Sequence, residues 1–279
     1  MPRSSILLTL ALFAGTAFAA TPAPAPVAPP SYADLASLAD AAPLAVRVRV
    51  KDQAVVPLER APGVAPGHAR LYIEAETQAL LTGTTTLPAT LRYLVDVPVG
   101  AKGKAPNLKK KSYVLFARPV AGRPGELQLT RPGAQLPWSA ALEPRLRAIL
   151  ASYAAADAPP RVTGVRDVLS SVGNLAGESE TQIFLATASG EPAALTVVRR
   201  PGMAPRWGVS WSELVDQSAR PAAPETLAWY RLACSLPSTL PAKANFAELP
   251  ADRERAAADY RFVIEQLGPC GRTPTGNPA

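Results

Sequence analysis

With 279 residues, 48% of them hydrophobic and only 18% charged, the chain has enough apolar mass for real cores, which excludes an intrinsically disordered protein. Two cysteines and one histidine exclude a disulfide-stapled miniprotein and offer no Cys/His spacing for a zinc site. The net charge of +7 is local: residues 100–131 hold eight basic groups against the single acid Glu126, so the remainder of the chain is balanced.

In chain order, Arg3 precedes an apolar run from Ile6 to Ala14, and Ala17-Phe18-Ala19 follows with the small-x-small pattern cut by signal peptidase. The run is too short for the ~20 residues that span a bilayer. Residues 1–19 therefore read as a signal peptide cleaved after Ala19, and the expected location is the periplasm, with no transmembrane segment after cleavage. Residues 20–30 alternate proline with alanine and valine, a stiff polyproline-type linker.

Residues 31–157 read as a β-rich basic domain. Ser31-x-x-Asp34 opens a short helix as a capping box, and Pro43 stops it. Period-two alternation then marks strands around Leu44–Val50, Leu71–Glu76, Leu91–Val97, Tyr113–Ala117 and Leu127–Leu129. Five short strands with a long third connection suit an antiparallel barrel of the oligonucleotide/oligosaccharide-binding kind, with an open sheet as the alternative. Leu146, Ile149, Leu150 and Tyr153 give a helix that should pack on it.

Pro159-Pro160 is the expected boundary to a second, α+β domain over residues 158–270. Val165, Val168, Leu169 and Val172 recur at helical spacing and predict a helix ending at Gly173-Asn174. A three-stranded meander is expected next, over 181–188, 193–198 and the Trp207-Val209-Trp211 run. Leu227–Cys234 and 251–267 read as helices, and 271–279 as a disordered tail. In an oxidising compartment the two cysteines, Cys234 and Cys270, are expected to form a disulfide.

The first-choice binding residues are the cations of the basic stretch, Lys102, Lys104, Lys109, Lys110, Lys111 and Arg118. The second choice is Arg199, Arg200 and Arg206 around a Pro-Gly turn leading into Trp207, read as an anion clamp floored by an indole. His68 stands alone in a loop, with no G-x-S-x-G or Ser-x-x-Lys pattern to supply a nucleophile. Glu74 and Glu76 share one strand face, where Arg92 and Arg47 are natural cross-strand partners. No catalytic residue, cofactor or metal is expected. The expected partner is an anionic envelope polymer, lipid head group or acidic protein, and export argues against nucleic acid. The alternatives are a hydrolase acting on envelope material and a structural accessory subunit.

The Ala/Pro-rich leader, Ser31-Tyr32-Ala33-Asp34-Leu35, and Arg199-Arg200-Pro201-Gly202 running into Trp207-Gly208-Val209-Ser210-Trp211 resemble exported proteins of alphaproteobacterial type. That resemblance implies no assigned activity and transfers no functional residue.

Overall fold

The computed structural model describes residues 29–100, 102–212 and 220–273. The expected leader, most of the linker and the end of the expected tail lie outside the described residues.

Helix α1 (Tyr32–Ala41) begins with the expected capping box: the Asp34 backbone N–H donates to the Ser31 hydroxyl, and the Ser31 backbone N–H donates to the Asp34 carboxylate, each at 3.0 Å. Strands β1 (Leu44–Val55), β2 (His68–Thr82), β3 (Thr90–Pro98), β4 (Ser112–Pro119) and β5 (Glu126–Leu129) follow, with a short β6 (Gln135–Pro137) on the edge of β4. Pairing runs β1-β2-β3-β5-β4, and β4 returns to β1, so the five strands close into a barrel. The expected all-antiparallel barrel is corrected in one place. β3 and β5 run parallel, Arg92 opposite Glu126, because the β3–β4 connection crosses the barrel end and β4 and β5 are joined by a hairpin. Closure removes the free edges that an open sheet would leave.

Alternation decides what fills the barrel. Val46, Val48, Val50, Leu71, Ile73, Leu91, Tyr93 and Val95 point inward, and a one-residue slip would turn every one of them to solvent. β4 differs from its neighbours because both of its faces are buried. Tyr113, Leu115 and Ala117 face the barrel interior, while Val114 and Phe116 join a second core with α1, α2 (Leu142–Ala154) and the second half of the chain. The residues on the two sides of Pro159-Pro160 thus share one core.

A cluster outside the barrel fixes α2. The Trp138 indole N–H donates to Glu143 at 2.6 Å, and Arg147 and Arg47 each reach the same carboxylate at 2.8 Å. These bonds, the indole's first, hold the Glu143 carboxyl below its ordinary range. The ionised form therefore stabilises the fold above the ordinary glutamate pKa of about 4.3, and that contribution disappears as pH falls through the depressed folded value. Glu143→Gln should be less stable than the parent at neutral pH, with the gap narrowing below about pH 4. Urea midpoints measured across this range check it, and a gap independent of pH would contradict it.

The second sheet is four-stranded and wholly antiparallel, in the order β10-β9-β8-β7. It comprises β7 (Val162–Val172), β8 (Ser179–Thr187), β9 (Ala194–Arg199) and β10 (Arg206–Ser210). Here the helix expected over 165–172 is overturned. Register shifts at Val162/Gly164 and Val165/Asp167 place Val162, Val165 and Val168 on the core face at intervals of three, which imitates a helical period. Leu169 and Val172, required by the helical reading, are exposed. The three-stranded meander accordingly gains a fourth strand, and Gly173-Asn174 begins the β7–β8 turn. Helix α3 (Leu227–Ala233) and helix α4 (Pro250–Leu267) cover this half. Trp229 donates its indole N–H to the Leu267 carbonyl at 2.9 Å and meets Tyr32 edge-on at 6.3 Å. The expected Cys234–Cys270 disulfide is present and joins the end of α3 to the segment after α4. None of the described helices is long and apolar enough to cross a membrane.

Candidate functional site

The outward-facing residues of β2, β3 and β5, with the β4–β5 hairpin, enclose a groove of about 640 Å³. Its position follows from the pleat: inward residues build the core, so alternate residues Arg70 and Tyr72 on β2, and Arg92, Leu94 and Asp96 on β3, stand on one outer face. Tyr72 and Leu94 are 41% and 47% exposed, which gives the groove an apolar strip. On one side of it Arg70 makes a bidentate pair with Asp96 at 2.7 and 2.8 Å and also donates to the Pro62 carbonyl of the β1–β2 loop at 3.2 Å. On the other side Arg92 approaches Glu74 at 3.4 Å, and Arg123 of the hairpin approaches Glu126 at 3.3 Å.

Arg131, just beyond β5, completes the lining and differs from the other three arginines. Its Nε is shut away from solvent without a hydrogen-bond partner, and its guanidinium pairs with no carboxylate among the described residues. With no carboxylate holding it, this guanidinium is the groove cation that would give up least in pairing with an incoming anion. The polar lining is otherwise made of Asp96, Glu126, Gln128 and Thr130.

The lysines chosen from the sequence lie elsewhere. The β3–β4 connection folds across the end of the barrel, where Leu108 is buried and Gln53 holds it by its Pro106 carbonyl at 3.0 Å and its Leu108 N–H at 2.6 Å. Lys109 pairs with Asp52 at 2.5 Å, which holds the Asp52 carboxyl below its ordinary range. Lys102, Lys104, Lys110 and Lys111 are exposed, and none of the six first-choice residues lines the groove. Arg118 comes nearest, donating at 3.1 Å to Gln128, which does line it.

The second-choice residues separate. Arg199 is engaged by the buried Asp259 at 2.6 Å. Arg200, Arg206 and Trp207 border a concavity of about 760 Å³, together with Glu178, Glu180 and Arg220. Trp207 belongs to the core that backs it. His68 opens β2 as an exposed residue with Nδ1 at 3.2 Å from the Pro66 carbonyl, and no group of three or more His, Cys, Asp or Glu that could hold a metal occurs among the described residues.

The groove residues come from three separate stretches of chain, and only Arg123 and Arg131 of its arginines fall in the basic segment seen in the sequence. The signal that could have found the others is the polar half of the β2 and β3 alternation, read as a surface in its own right. Comparison with known proteins found no matching family model and no matching curated relative.

Proposed function

We propose that this protein is a non-enzymatic periplasmic binding module that takes an extended anionic ligand, such as an acidic envelope glycan or an acidic protein segment, along the β2–β3–β5 groove. The observation that carries the reading is Arg131, an unpaired guanidinium in a groove that also offers Tyr72 and Leu94 as an apolar strip. The closure order with parallel β3 and β5 supports it further, since it is the order of the oligonucleotide/oligosaccharide-binding barrel, whose ligands lie over strands 2 and 3 between the β1–β2 and β4–β5 loops. Arginine suits the task because its planar fork chelates carboxylate and phosphate and stacks on flat groups. The lysines on the barrel end contribute charge without shape, and their role is to raise the local concentration of an anion before it docks.

A fluorescent acidic oligosaccharide (an oligogalacturonate) and an acidic peptide serve as probes in anisotropy titrations. Arg92→Gln/Arg131→Gln should weaken one of them by about tenfold or more, the value of a lost charge-assisted contact. Lys109→Ser/Lys110→Ser/Lys111→Ser should weaken it less, and only while salt stays below ~0.15 M, where the Debye length is near 8 Å. Equal losses in the two variants, or no saturable binding of either probe by the parent, would overturn the groove as the site.

A further inference from the structure

At the junction of the two halves lies a separate cavity of about 250 Å³, lined by residues from the end of α1, the start of β7, the end of α3 and the segment beyond the disulfide. Three arginines converge there: Arg161, Arg231 and Arg272. Two of them share one carboxylate, Asp40, which accepts from Arg231 at 2.8 Å and from Arg161. Arg231 is only 7% exposed and is held rigidly, donating to the Pro159 carbonyl at 3.2 Å and stacking over Tyr153 with 5.1 Å to the ring centroid. Arg272 has no carboxylate among the described residues. It donates to the Tyr230 hydroxyl at 3.1 Å and lies over that ring, and it stands two residues past Cys270, so the disulfide anchors it. Ser37 and Ser235 also line the cavity, and neither hydroxyl makes a hydrogen bond among the described residues.

Three cations against one anion leave an excess of two positive charges around a cleft already furnished with two unused hydroxyls. The C-terminal end of α1 adds partial negative charge, which offsets part of that excess without reversing it. We infer that this cavity is an oxyanion site for a phosphoryl group, distinct from the β2–β3–β5 groove. A dianion matches the charge excess, and its several acceptor oxygens match the guanidinium and hydroxyl donors better than the two oxygens of a monocarboxylate. The volume, about eight times that of a water molecule in the liquid, leaves room for a small ester beside the phosphoryl group. Free phosphate and a phosphomonoester share this recognition chemistry.

Titration of the intact oxidised protein by calorimetry tests it, with inorganic phosphate, glycerol 3-phosphate and acetate as probes. Expected is one saturable site for phosphate or for glycerol 3-phosphate, the tighter of the two naming the physiological form, and at least about tenfold weaker binding of acetate. Arg272→Gln, at the cavity mouth and outside the Asp40 pairs, should weaken the phosphoryl probe by about tenfold, and Ser37→Ala/Ser235→Ala by a smaller factor. Arg131→Gln, in the groove, should leave this binding unchanged, which keeps the two sites experimentally separate. Absence of saturable binding by either phosphoryl probe, equal binding of acetate, or undiminished binding in a folded Arg272→Gln protein would each overturn the inference.

Discussion

Removal of the disulfide by Cys234→Ala/Cys270→Ala should lower the unfolding free energy by about 4 kcal/mol, the chain-entropy value for a cross-link spanning 36 residues. For a chain of this size that corresponds to a fall in Tm of roughly 8–16 °C. The effect is expected to be large because the cross-link closes a long loop and so removes conformations from the unfolded chain. The segment beyond Cys270 returns to α1, where the Thr273 backbone N–H and hydroxyl both donate to Asp34, at 2.9 and 2.7 Å. Thermal unfolding of parent and variant, both non-reduced, measures the difference. A loss below about 1 kcal/mol would mean that the α3–α4 packing already restrains the loop in the unfolded ensemble.

The second large effect is expected at Arg199, which in sequence resembles its neighbour Arg200. Asp259 on α4 is fully buried, and its carboxylate accepts from Arg199 at 2.6 Å and from the Thr181 hydroxyl at 2.6 Å; Thr181 in turn contacts Ser170 at 2.9 Å. Arg199→Met would leave a buried carboxylate with one neutral donor, at a cost of about 3 kcal/mol. This is the lower end of the range for broken buried pairs, because the Arg199 side chain keeps about a third of its surface in water. The exposed Arg200→Met should stay within about 0.5 kcal/mol of the parent. Arg199→Met/Asp259→Leu should recover most of the loss, since an apolar pair can replace a buried ion pair at little cost. Urea unfolding of all three variants decides the matter. If the double variant were as unstable as the single one, packing of the arginine stem would be the cause.

Much of the local structure was legible because its causes are local. Ser31 and Asp34 satisfy each other's backbone within one turn, so the capping box could be read directly. The alternation in Leu71-Tyr72-Ile73-Glu74-Ala75 fixes which residues face inward whatever the strand pairs with. β7 was illegible for an equally local reason: its bulges turn a period of two into intervals of three, and spacing alone then favours the wrong element. The basic stretch was visible as composition, but charge density does not reveal shape. Leu108 and Gln53, 55 positions apart, bind that connection to the barrel end and leave its lysines outside the groove.

The chain order of polar and apolar residues thus determined the strands of the barrel, the capped first helix and, through two cysteines behind an export-type leader, the expectation of a cross-link. Whether the barrel closed was a tertiary matter, because the parallel contact of Arg92 with Glu126 depends on two segments 34 positions apart meeting in space. The arginines make the same point most sharply. Arg199 and Arg131 carry the same guanidinium, and nothing near either in sequence tells them apart. Arg199 becomes structural because α4 brings a buried carboxylate to it from 60 positions away, and Arg131 becomes a candidate ligand contact because the fold brings none. Coulomb attraction acts through space and not along the chain, so the partner of a charge is decided only when the chain has folded.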